Sequence, residues 1–193
     1  MFENPLKRFL RRVSGSDIPV LIQQANRALE ADAYEKAAEM FLQLARKNEE
    51  LAPHRAPFLH IESGRAAILG GQTAQGIARF RSGLTLLASQ QRFARLRSLG
   101  EGIEAELCER DLETEAQEIE ALVESNLPFA ASAEPIAPAK KPLLPTHCPS
   151  CGAGMKPYEI EWLGDLTAKC AYCGSPVRGN SRRTGLWVKE NLK

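Results

Sequence analysis

Residues 21–45 read LIQQANRALEADAYEKAAEMFLQLA, and the spacing of their apolar side chains decides the fold. Leu21, Ile22, Ala25, Ala28 and Leu29 recur at steps of three and four, and Tyr34, Ala37, Phe41 and Leu44 repeat the pattern. That spacing puts them on one face of a helix, whereas a half-buried strand would alternate every second residue. Ala, Leu, Glu, Arg and Gln, which dominate here, lose little conformational freedom in a helix. The stretch therefore reads as two amphipathic helices separated by a short break.

The same period extends outward over residues 18–31, 34–50, 55–70, 73–89, 91–109 and 111–125, predicting six helices. Breaks fall at Ser14–Asp17, at Pro53 and Pro57, and at Gly70-Gly71. The last predicted helix is strongly acidic, with an apolar stripe of Leu112, Ala116, Ile119 and Val123. Displacing the chain by 39 residues brings Ile22 onto Ile61, Ala28 onto Ala67 and Phe41 onto Phe80. Ala25 then meets Gly64, and Ala37 meets Gly76. Small residues superpose on small ones because packed helices approach closely only where one side chain is short and its neighbour fills the gap.

The segments LIQQANRALEADAYEKAAEMFLQLA and HIESGRAAILGGQTAQGIARFRSGL (residues 60–84) resemble tetratricopeptide repeats over about residues 18–90. Leu21, Ala25, Ala28, Tyr34, Ala37 and Phe41 stand at the large and small positions of the first copy, and Gly64, Ala67, Gly76 and Phe80 at those of the second. The period of 39 exceeds the family's by about five residues, which points to an enlarged loop near 52–57. His60 stands where a large apolar residue is expected, and Gly83 replaces an alanine. No third copy aligns, so residues 91–125 are expected to add a third helix pair as a cap, since such repeats cannot bury their faces alone. The resemblance implies a concave groove, lined by the first helix of each pair, that binds peptides or partner proteins. Gln24, Arg27, Ser63 and Arg65 are the residues expected to meet such a partner.

Residues 126–146 carry five of the chain's 12 prolines and read as an extended linker, because proline at that density forbids helices and inner strands. Beyond it stands CPSC, then 18 residues, then CAYC. Two CxxC pairs at that separation predict a zinc ribbon in which Cys148, Cys151, Cys170 and Cys173 hold one structural zinc ion. Iron and a thiol redox pair are the rival readings. Gly152 and Gly174 follow the second cysteine of each pair, where the chain must take a positive φ. Residues 158–162 and 166–171 are expected as paired strands, with a further strand near 186–188. Four sulfurs would close the coordination shell, so the ion should support the fold and not catalyse. His147 is not needed as a fifth ligand.

The expected architecture is mainly α: a basic segment 1–16, a tetratricopeptide-like domain 17–125, the linker 126–146 and a small β zinc ribbon 147–193. Cys108 and the tryptophans Trp162 and Trp187 read as buried structural residues. Paired carboxylates such as Glu104 and Glu106 read as solvated faces. No catalytic motif is present among the three histidines or elsewhere, so a non-enzymatic protein-binding adaptor is the leading expectation. Nucleic-acid binding through Arg178, Arg182 and Arg183 of the ribbon is the alternative. Bulk charge supports it weakly: residues 146–193 hold 7 Lys/Arg against 4 Asp/Glu, and residues 1–125 hold 16 against 19. The amphipathic N-terminus (Phe2, Leu6, Phe9, Leu10, Val13) suggests membrane-surface contact as a third reading. No secretory signal or long apolar run is seen, so a cytoplasmic protein with reduced thiols is expected.

Overall fold

The computed structural model describes residues 18–128, 142–156 and 159–179. Among these residues the chain forms six helices and one three-stranded sheet: α1 Ile18–Glu30, α2 Tyr34–Leu51, α3 Ala56–Leu69, α4 Thr73–Ser89, α5 Phe93–Cys108, α6 Glu113–Asn126, β1 Glu161–Trp162, β2 Thr167–Lys169 and β3 Pro176–Arg178. The helix bounds lie within two residues or so of those read from apolar spacing. No described helix is long and apolar enough to cross a membrane.

Four of the helix connections share one design. At the first, the Asp32 amide bonds the Leu29 carbonyl at 3.0 Å and the Ala33 amide reaches back to Ala28 at 2.9 Å. The same pair of bonds recurs from Gly71 and Gln72, from Gln91 and Arg92, and from Asp111 and Leu112. Each satisfies helix-end carbonyls at the cost of one residue in the left-handed region. Glycine fills that position once, at Gly71 with φ 76°; the others are Asp32, Gln91 and Asp111 at 56–57°. The joint between α2 and α3 is built differently, through residues 52–55, and Pro57 lies in the first turn of α3.

Close approach explains the small residues. A Cβ on Gly64 would meet the Phe80 ring at 2.6 Å, and one on Gly76 would meet Ile68 at 2.4 Å. Residues 93–126 do form a third hairpin, spaced about 40 residues from the second. Its packing sizes are exchanged: His60 and Ile61 of α3 face Gly83 of α4, whereas Gly100 of α5 faces Val123 of α6. The expected apolar stripe of α6 is buried at Ala116, Ile119 and Val123, with Leu112 partly buried at its entry. His60 is buried and bonds Glu49 at 2.7 Å. Cys108, expected inside, is exposed, because it lies one residue beyond the buried position of Leu107.

The sheet has the order β1-β2-β3, all antiparallel, with Ala168 paired to Trp162 on one side and to Val177 on the other. Strands β1 and β2 fall inside the expected stretches. The third strand is Pro176–Arg178, directly after the second cysteine pair, and residues 186–188 lie outside the described residues. Linker residues Pro142 and Leu144 are already against the ribbon or core: Pro142 borders Gly179, and Leu144 packs on buried apolar residues. Helices and ribbon share one apolar core, which runs from Ile18 and Phe41 through Phe58 to Tyr172 and Val177.

Candidate metal centre and the helical face beneath it

The two CxxC pairs fold into matching knuckles. The Gly152 amide bonds the Cys148 carbonyl at 2.8 Å, and the Gly174 amide bonds Cys170 at 2.9 Å. Each glycine sits at positive φ, 74° and 75°, as the sequence required. The Cys148 and Cys170 amides then bond the Ala153 and Ser175 carbonyls at 2.8 and 3.0 Å. Each knuckle thus aims two sulfurs the same way, and the sheet brings the knuckles together.

All four sulfurs are buried and lie within 4.8 Å of one another. Cys148 to Cys173 and Cys151 to Cys170 are each 3.8 Å. A tetrahedron with metal–sulfur bonds of about 2.3 Å has edges of about 3.8 Å, so the donor set fits a tetrahedral metal ion. The chemistry fits as well, since four buried thiolates this close would repel unless a cation lay among them. The cluster can hold a metal ion. His147 pairs in a β-bridge with Gly154, and its Nδ1 contacts the Thr146 hydroxyl at 3.1 Å; it is not part of the cluster.

The ribbon lies across α1, α3 and α5, the first helix of each hairpin. From α1, the Asn26 amide donates to the Cys151 carbonyl at 3.0 Å and Gln23 to the Ser150 carbonyl at 3.3 Å. From α3, Phe58 meets the Tyr172 ring edge-on, with centroids 6.2 Å apart, while Arg92 covers Phe58 at 5.2 Å. Arg95 of α5 donates to the Ile160 carbonyl. Arg55 lies over Gly174, where any Cβ would collide with its guanidinium.

A buried ionic network forms the centre of this contact. Arg65 reaches Glu62 at 2.5 Å, Glu106 at 2.7 Å and Glu159 at 2.8 Å. Lys156 adds a second cation to Glu106 at 2.6 Å. Burial alone would raise the Glu106 pKa, but Arg65 and Lys156 outweigh it and hold the carboxyl at about 2. Burial raises the pKa of Glu159, and raises that of Tyr172 well above its usual value. The Tyr172 hydroxyl touches Glu62 at 2.9 Å and also Glu159. A phenol has one proton to donate, so Tyr172 serves one of these two carboxyl groups at a time.

The groove residues expected from the sequence therefore part company. Gln24 and Arg27 are exposed on α1. Ser63 is fully buried and donates to the Ala38 carbonyl at 2.6 Å, so it packs α3 on α2 and presents nothing to a partner. Arg65 does bind protein, but within its own chain. Glu106, expected in water, is drawn into the network. Trp162 is half-buried, Arg178 is exposed on β3, and residues 1–16, Arg182, Arg183 and Trp187 lie outside the described residues. Sequence reasoning missed Asn26, Phe58, Arg95, Glu159 and Tyr172. Only Tyr172 carried a signal, as an aromatic residue inside the second cysteine pair. No family model, no curated protein and no solved structure matches this chain.

Proposed function

We propose that this is a non-enzymatic protein-interaction adaptor, with a tetratricopeptide-like helical array as its recognition surface and a structural zinc ion in its ribbon. The observation that carries the reading is the chemistry of the α1–α3–α5 face. Asn26 and Gln23 take main-chain carbonyls, Phe58 takes an aromatic ring, and Arg65 takes a carboxylate. In peptide recognition, hydrogen bonds to the main chain supply affinity and pockets for particular side chains supply specificity, and this face offers both. Hairpins repeating at 39–40 residues with recurrent turns support the repeat assignment. The four-sulfur cluster suits a tetrahedral zinc ion, and an ion closed by four sulfurs leaves no position for a reacting water.

Affinity capture from a nuclease-treated native extract tests the reading, using the full chain and its Arg95→Ala variant as baits, each metal-loaded and metal-stripped, because the docked ribbon holds Arg95 through the Ile160 carbonyl. A defined protein retained by the full chain and lost from the variant supports it. Capture that vanishes with nuclease and depends on Arg178 would replace it with nucleic-acid binding.

A further inference from the structure

Metal loading and groove occupancy are joined in one contact. The surface that the repeat architecture would offer to a partner is covered, and its cover is the ribbon of the same chain. We propose that the metal-loaded ribbon is a cis ligand that closes the α1–α3–α5 groove. Loss of the metal opens the groove to a protein segment carrying a carboxylate beside an aromatic ring, the chemistry of Glu159 and Tyr172. The proposal rests on the adaptor reading and adds how that surface is regulated and what it selects.

Four observations carry it. First, the ribbon's contacts copy peptide recognition in detail: two knuckle carbonyls on Asn26 and Gln23, a third main-chain carbonyl on Arg95, a carboxyl on Arg65 and a ring on Phe58. Second, the contacts are tied to the metal site through the chain itself. Cys151 supplies both a cluster sulfur and the carbonyl that Asn26 holds, and Tyr172 lies between Cys170 and Cys173. A ribbon of so few strand residues has little core of its own once the metal is gone, so the same event removes the docking geometry. Third, the helical face is cationic, presenting Arg55, Arg65, Arg92 and Arg95 against Glu62 and Glu106. It would favour an acidic occupant. Fourth, the docked ribbon leaves a donor unused. Arg55 Nε is buried against the interface without a hydrogen-bond partner among the described residues, so a partner with a second carboxylate there would gain a bond that the described ribbon does not supply.

A groove occupied in cis binds weakly in trans, in proportion to the small fraction of open molecules. The test uses the full chain and a fluorescently labelled peptide with the sequence of residues 155–162, MKPYEIEW. Anisotropy is read with the protein zinc-loaded and again after chelation, with far-UV circular dichroism confirming that the helices persist. The expected result is at least ten-fold tighter binding to the stripped protein, falling again in stripped Arg95→Ala. Because chelation could act elsewhere, the double variant Glu159→Gln/Tyr172→Phe keeps all four cysteines and weakens only the dock. It should retain its metal and bind the peptide at least ten-fold more tightly than the loaded wild type. Equal peptide binding by the loaded, stripped and double-variant proteins overturns the proposal, as does a ribbon that resists protease equally with and without metal. The adaptor reading fails separately: capture of the same protein by loaded and stripped baits sinks the gate but not the adaptor. Gated peptide binding with no cellular protein captured sinks the adaptor but not the gate.

Discussion

The second and third hairpins of the helical array solve one packing problem in opposite ways, and the ribbon solves a different one. In the second hairpin the bulk is on the first helix, His60 and Ile61 against Gly83. In the third the bulk is on the second helix, Val123 against Gly100. Both close the same gap, so the fold records a sum of volumes where an alignment compares positions one at a time. The ribbon has too few apolar residues to distribute its stability in this way. It concentrates stability in four sulfurs and in one ring, Tyr172, placed in the core of its neighbour.

Concentrated stability should break at single points. Cys151→Ser removes one of four sulfurs, and the ribbon should lose both its metal and its fold. Binding a structural zinc is worth on the order of 10 kcal/mol. Unchanged metal content by mass spectrometry, or unchanged exchange protection of the ribbon amides, would contradict this. Arg65→Ala comes next, because it leaves the buried Glu159 and the partly buried Glu62 without their cation; the expected loss is about 3–5 kcal/mol. Urea unfolding reads it, and a loss under about 1 kcal/mol would mean that the network is solvated.

The distributed half should give way in smaller steps. Gly100→Ala puts a Cβ 2.5 Å from Val123 and should cost about 1–3 kcal/mol. Adding Val123→Ala should recover most of that loss, since the two positions share one volume. A double variant no better than the sum of its parts would refute the size exchange. The smallest effect is a gain. Gln91 holds φ 56° with no glycine, so Gln91→Gly should raise stability by roughly 0.5–1 kcal/mol. A loss in thermal unfolding would mean that the Gln91 side chain contributes more than its backbone strain costs.

These contrasts show what could be read in advance. The six helices were legible because their apolar faces repeat at three and four residues over long stretches. The knuckles were legible down to the φ of Gly152 and Gly174, because two cysteines on one ion leave the backbone one way to turn. The third hairpin escaped alignment with the second because of the exchange at Gly100 and Val123, and because Asp111 and Gln91 hold left-handed positions where glycine would have marked a turn. The docking face was not legible at all. Asn26, Phe58, Arg95 and Glu159 are unremarkable in sequence, and they acquire meaning only when residues 65 to 125 positions apart meet. The misreadings of Ser63, Cys108 and Glu106 share that origin, since helical period gives the apolar face but not which polar residues a distant segment will cover.

Ribbon and helices share one core, so they should unfold as one body. Unfolding of the full chain, followed by helix ellipticity at about 222 nm once zinc-loaded and once with chelator, reads this. Metal bound only to the folded ribbon stabilises whatever is docked on it, by about 3–4 kcal/mol when the metal is held at 100 to 1,000 times its dissociation constant. The helical transition should move to clearly higher temperature with zinc. A helical transition that stays in place while the ribbon gains its metal would show two independent units joined only by the proline-rich linker, and the docked groove would be wrong.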